Sequence, residues 1–259
     1  MKLKLYQIDA FANNVFEGNP AAVCPLDEWL PNDLMQAIAA ENNLSETAFF
    51  VKNETGYAIR WFAPLAEVNL CGHATLASAF VIFNILNEQS DEIRFDSKSG
   101  ELSVKQDGDL LAMNFPAQPI TLGDTPLLIS EAFAASPHQC ARREDHVVIF
   151  DHESDVINAA PDMAKLAQLD LRGVAITAPS TQYDFVVRFF APKYGINEDP
   201  VTGSSYTQLA PYWAERLGKN NLHAKQVSKR GGEVSCSIEG DRVVISGKAV
   251  KYMEASIEV

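Results

Sequence analysis

Apolar and polar residues alternate over residues 2–9, the two-residue period of a half-buried strand. A turn-rich stretch, Asn13-Asn14 through Gly18-Asn19-Pro20, separates it from the apolar strand Ala21-Ala22-Val23-Cys24. Pro31-Asn32-Asp33 then opens a helix whose Leu34, Ala37 and Ile38 share a face, and which ends near Asn42-Asn43. Thr47–Lys52 and Tyr57–Phe62 read as strands turned at Gly56. The next helix, from about Ala74 to Leu86, is apolar around nearly its whole circumference and so has to be covered on most sides. Flanking strands wrapped around it as a curved sheet would supply that cover, giving a half-barrel filled by a helix.

The second half repeats these parts. His146–Phe150, Gly173–Ala178 and Phe185–Phe190 are strand-like, Pro161–Leu169 is helical, and Ser205–Leu217 is an amphipathic helix in which Pro211 predicts a bend or an opened turn. After Gln226 come strands parted by Gly231-Gly232 and Gly240-Asp241, with a last one near Val250. Arg60-Trp61-Phe62-Ala63-Pro64 recurs as Arg188-Phe189-Phe190-Ala191-Pro192 at an offset of 128, and Gly72 falls on Gly203 at an offset of 131. Match, glycine and helix in one order, at half the chain length, predict a duplicated α+β fold. It has two pseudo-symmetric domains, each a curved, mostly antiparallel sheet around a central helix. The division expected is 1–116 and 117–247, with the strand 248–259 able to return to the first domain. Residues 116–145, including His138 and Cys140, follow no interpretable pattern.

Composition narrows the function. At 47% hydrophobic and 21% charged residues, the chain can bury a sizeable core without disulfides. A net charge of −13 argues against nucleic-acid and anionic-membrane partners, which need a basic surface. The four cysteines are far apart in sequence and the N-terminus lacks a signal-peptide core, so free thiols in the cytoplasm are expected. The five histidines show no metal-ligand spacing, and no metal is expected.

The two loop-to-helix junctions are the candidate chemistry. They read Cys71-Gly72-His73-Ala74-Thr75 and Thr202-Gly203-Ser204-Ser205. A helix start leaves backbone N–H groups without partners and carries partial positive charge, and a glycine there admits a ligand close to the backbone. Singly, each is a turn and a cap. Together, facing across a duplicated fold, they suit a carboxylate or a developing enolate. His73 is either a cleft residue held neutral at a helix start or a packed one. Asp199 is either a turn former before Pro200 or an orienting group. Glu46, ahead of the apolar Thr47-Ala48-Phe49-Phe50, is either a solvated loop residue or a partly dried carboxyl with its pKa raised toward proton transfer.

Gly18-Asn19-Pro20-Ala21-Ala22-Val23, Asn43-Leu44-Ser45-Glu46-Thr47-Ala48-Phe49, Cys71-Gly72-His73-Ala74-Thr75 and Glu198-Asp199-Pro200-Val201-Thr202-Gly203-Ser204 resemble the successive motifs of the phenazine-biosynthesis PhzF-like isomerase family. Arg188–Pro192 and Gln226…Arg230-Gly231-Gly232 fit the same series, which runs from about residue 5 to the C-terminus. The resemblance implies a diaminopimelate epimerase-like fold with the active site between two domains, a homodimer, and no cofactor. It implies that Glu46 shuttles a proton between carbons of a small carboxylate-bearing substrate. It carries substrate binding to His73, Asp199 and Ser204, and backbone N–H donation to Gly72 and Gly203.

Epimerases and racemases of the wider superfamily use two cysteines. Here Cys71 stands at the first such position, while the offset of 131 puts Thr202 at the second. A threonine hydroxyl is far too weak an acid to replace a thiol. A cysteine-dependent amino-acid epimerase using Cys71, and a non-catalytic metabolite-binding protein of the same fold, are the two alternatives.

Overall fold

The computed structural model describes residues 1–259 and separates into two compact units, Met1–Asn114 with Ser246–Val259, and Phe115–Ile245. In the first unit the chain runs β1 (Lys2–Ala10), β2 (Asn19–Leu26), α1 (Asn32–Asn42), β3 (Glu46–Lys52), β4 (Tyr57–Phe62), β5 (Glu67–Val68), α2 (Gly72–Asn84), β6 (Glu92–Ser97), β7 (Gly100–Asp107) and β8 (Leu110–Pro116). The second unit continues with β9 (Thr121–Gly123), α3 (Leu127–Ala132), β10 (Gln139–Arg142), β11 (His146–Ile149), α4 (Glu153–Ile157), α5 (Met163–Leu166), β12 (Val174–Pro179), β13 (Phe185–Ala191) and β14 (Ile196–Asp199). It closes with α6 (Tyr206–Leu217), β15 (Asn221–Gln226), β16 (Gly232–Glu239) and β17 (Arg242–Gly247), after which β18 (Ala249–Glu258) ends the chain.

The two units share one strand-pairing scheme. In the first, β2 lies parallel to β3, β3 antiparallel to β4, β4 parallel to β6, and β6 antiparallel to β7. In the second, β11 lies parallel to β12, β12 antiparallel to β13, β13 parallel to β15, and β15 antiparallel to β16. Each parallel step needs a crossover, and helices supply it. α1 sits between β2 and β3 and α2 between β4 and β6; α4 with α5, and α6, occupy the matching places. β18 returns antiparallel along β1, from Lys2 opposite Glu258 to Ala10 opposite Ala249. The turn between β1 and β2 needs its glycine. Gly18 has φ +64°, and a Cβ there would lie 2.1 Å from the Ala10 carbonyl oxygen.

α2 has the burial its sequence demands. Residues from His73 to Phe83, Phe80 apart, are buried, and the helix packs on β1, β2, β3, β7 and β18. It starts at Gly72, two residues before the pattern suggests, because the Cys71 carbonyl takes both the Thr75 N–H at 3.1 Å and the Thr75 hydroxyl at 2.6 Å. α6 runs unbroken through Pro211. Proline cannot bond the Thr207 carbonyl one turn back, and the Gln118 N–H takes that carbonyl instead, at 2.9 Å. The opened turn predicted there is absent for that reason. The helix expected over 161–169 shortens to α5. Asp162 caps it by accepting from the N–H groups of Ala164 and Lys165, and beyond Ala167 the bonding tightens to three-residue turns.

Residues 116–145, unreadable in sequence, hold β9, α3 and β10. Ile129, Phe133 and Cys140 from this region join Val148, Phe150, Ile176 and Phe190 in the second unit's core. All four cysteines are free and buried. No helix is long and apolar enough to cross a membrane.

Candidate functional site

In the first unit, α1 stops at Asn43, which takes the left-handed conformation (φ 49°, ψ 34°) and bonds its N–H to the Ala39 carbonyl. Three residues later Glu46 opens β3, opposite Ala21 of β2. Next to it, Thr47 accepts a hydrogen bond from the Asn42 amide at 3.1 Å. The Glu46 side chain is 15% exposed and turns toward the start of α2, where its Oε2 lies 3.3 Å from Nε2 of His73. The His73 Nδ1 on the other side of the ring is 3.5 Å from Cys71 Sγ. The order is thus carboxyl, imidazole, thiol.

Burial pushes the His73 imidazole down to about 4, so the ring is neutral near pH 7. A neutral imidazole has one donor and one acceptor nitrogen. Cys71 Sγ lies within hydrogen-bond reach of Nδ1, whereas Nε2 is 3.3 Å from the Glu46 carboxylate without forming a hydrogen bond to it. Gly72, between them, has neither a left-handed φ nor tight packing, since a Cβ there would meet only Met113 Cε at 3.9 Å. Local structure does not require this glycine. Its effect is to leave the first N–H groups of α2 open to approach.

The second unit builds the matching junction from different groups. Asp199 ends β14, and its Oδ2 accepts the Thr202 hydroxyl at 2.5 Å. Gln226, fully buried, braces both: its Nε2 donates to the Asp199 carbonyl at 2.8 Å and its Oε1 accepts the Thr202 N–H at 3.0 Å. Gly203–Ser205 forms a single 3₁₀ turn leading into α6. Ser204 Oγ accepts a hydrogen bond from Arg172 Nη1 at 3.0 Å. Arg172 is fixed in turn by a two-pronged grip on the fully buried Asp145, at 2.9 and 2.6 Å, and Gln208 donates to the same carboxylate at 2.6 Å.

Of the residues singled out in the sequence, the structure brings Glu46 and His73 together in the first unit, with Gly72 beside them. In the second unit Asp199 joins the loop that leads to Gly203 and Ser204. Cys71, at the first of the two cysteine positions of the wider superfamily, is in contact with the His73 ring. Arg172, Asp145 and Gln208 were missed. Their partners lie 27 to 63 residues away in sequence, and no local pattern marks them.

The same duplicated architecture is found in a hydroxyproline epimerase from Agrobacterium vitis solved with bound trans-4-hydroxy-L-proline. Its TM-score is 0.59 at 9% identity, over 99% of this chain and 92% of that one. The fold is therefore the epimerase-like one. The sequence pattern of the family described as phenazine biosynthesis-like protein (PhzC-PhzF) matches residues 8–255, and the chain belongs to that family. It is 51% identical to an uncharacterized isomerase of Pseudomonas aeruginosa over the full length of both. It superposes with a TM-score of 0.98 on a PhzF-family protein from Enterococcus faecalis, 42% identical, covering 100% of each chain.

Proposed function

We propose that the protein is a cofactor-independent isomerase in which Glu46 takes a proton from an activated C–H of a small carboxylate-bearing substrate and returns it to another carbon. The observation that carries this reading is the Glu46–His73 pair, 3.3 Å apart at the start of a helix and largely shielded from water. Proton abstraction next to a carbonyl builds negative charge on oxygen, and the N–H groups at Gly72 offer it a fixed field. His73, neutral by burial, donates a hydrogen bond without adding a charge. Asp199, Ser204 and Gly203 are assigned the polar groups of the substrate. Ser204 already accepts from Arg172, so its own proton is free to be offered to an anionic group. A homodimer belongs to the same reading, and light scattering on the purified protein checks it.

The test is a screen of carboxylate-bearing metabolites for deuterium uptake from heavy water, with Glu46→Gln as control. Exchange should fall by about three orders of magnitude or more in the variant. Near wild-type exchange in a folded Glu46→Gln protein refutes the mechanism.

The contact between Cys71 Sγ and His73 Nδ1 favours a second reading, a cysteine-dependent epimerase. A Cys71→Ala variant separates the two, because the glutamate mechanism leaves it active and the cysteine mechanism does not.

A further inference from the structure

Glu46, Cys71 and His73 come from two separate stretches of sequence, and their donor atoms, one from each residue, lie within 4.8 Å of one another. A thiol, an imidazole and a carboxylate are the three side-chain ligands zinc prefers. Tetrahedral zinc, with bonds of about 2.0 to 2.3 Å, sets its ligand atoms about 3.3 to 3.6 Å apart. The Cys71 Sγ–His73 Nδ1 separation of 3.5 Å and the His73 Nε2–Glu46 Oε2 separation of 3.3 Å already have that length. They use opposite ring nitrogens, so one ion can take only one of these contacts as it stands, and the third residue has to turn in to complete the set.

Charge and protonation also suit a divalent ion. A thiolate and a carboxylate together neutralise it. A thiol that binds the ion gives up its proton on binding. The start of α2, at Cys71 and Gly72, favours that thiolate. His73 Nε2 is a buried ring nitrogen that makes no hydrogen bond. Cys71 and His73 are each 7% exposed and the Glu46 side chain 15%, so an ion held here is largely shielded from solvent.

We propose that these three residues form a binding site for zinc-class cations, with one ion held by Cys71 Sγ, one nitrogen of His73 and a Glu46 carboxylate oxygen. The regulatory consequence rests on the isomerase reading: a bound ion takes up the carboxylate that moves the proton, making zinc a reversible inhibitor.

The binding test needs no substrate. Cobalt(II) chloride titrated into the reduced, chelator-treated protein should give one equivalent of tetrahedral d–d absorption with a near-ultraviolet thiolate charge-transfer band, both erased by zinc chloride. Cys71→Ser should lose the charge-transfer band, and Glu46→Gln and His73→Gln should each weaken cobalt binding by about tenfold or more. Absence of a tetrahedral spectrum in the wild type overturns the inference, as does an unchanged band in Cys71→Ser. If Cys71→Ser does not fold, X-ray absorption of the zinc-loaded wild type decides. One sulfur among nitrogen and oxygen neighbours is expected, and a shell without sulfur overturns the site. Loss of deuterium exchange in Glu46→Gln without any cobalt binding removes this inference alone. Cobalt binding with exchange intact in Glu46→Gln removes the isomerase reading alone.

Discussion

The two units repeat one strand scheme but fill its key positions with different chemistry. At an offset of 131, Cys71, Gly72 and His73 fall on Thr202, Gly203 and Ser204, and Ile82 falls on Trp213. The scaffold pins are kept. Arg60 grips Glu67 at 2.7 and 2.9 Å and lies 5.1 Å from the Phe62 ring; Arg188 grips Glu198 at 2.7 and 3.1 Å and lies 5.1 Å from the Phe190 ring. What differs is the residue after the glycine. In one unit it is a buried titratable ring beside a carboxyl, and in the other a hydroxyl steered by an arginine. A repeat can keep its frame through such pins while each copy's helix start takes up its own role.

The central helices give the largest expected contrast. Trp213 is fully buried, stacked on Phe185 with ring centroids 5.5 Å apart, and donates to Thr177 Oγ1 at 3.0 Å. Trp213→Ala should cost about 3–5 kcal/mol in urea unfolding, and Ile82→Ala about 2–5 kcal/mol. A smaller loss at Trp213 than at Ile82 would break the view that α6 depends on one large anchor while α2 spreads its burial.

Next comes acid. His73 is neutral in the folded protein, with its pKa down at about 4 against 6.5 for an ordinary histidine. The unfolded chain therefore binds the extra proton first. Stability is level with respect to this group above pH 6.5 and falls as pH drops toward 4, by about 3 kcal/mol in all. Comparing urea midpoints across that range, His73→Gln should have the shallower slope. Ser204, its counterpart, contributes no such term, so Ser204→Ala should leave the slope unchanged.

The pins should differ by less. Arg188 also donates to the carbonyls of Val156, Ile157 and Ala159, whereas Arg60 adds only Asn32 Oδ1. Arg188→Met should destabilise more than Arg60→Met, by about 1–2 kcal/mol. Equal losses would mean that the carbonyl bonds add nothing beyond the ion pair. Smallest of all, Pro211→Ala should change stability by about 1 kcal/mol or less, since its new N–H competes with Gln118 for a carbonyl already satisfied. Faster hydrogen exchange at the Gln118 amide would reveal the competition.

How far the sequence could be read follows from where each signal is written. The all-round apolar run of α2 is a local pattern, and it foretold burial. The Arg-x-Phe-Ala-Pro repeat is local too, and the structure gives it a physical reason in the paired Arg–Glu grips. Residues 116–145 carry no period because their elements are three to six residues long, too short to show one. The contact of Cys71 with the His73 ring depends on how the helix start turns its side chains. The Arg172–Asp145–Gln208 brace depends on three distant segments meeting. Neither is a pattern along the chain.

The pins also act as a ruler. Between arginine and glutamate the second copy is three residues longer, with the extra length in the turn around Pro192–Tyr194. From glutamate to the junction glycine the count is five in both copies, Glu67 to Gly72 and Glu198 to Gly203. Insertions are absorbed at the hairpin tip, upstream of the clamp. The span that sets where each helix begins is unchanged, so the tip is the place to graft a tag or loop without moving the chemistry.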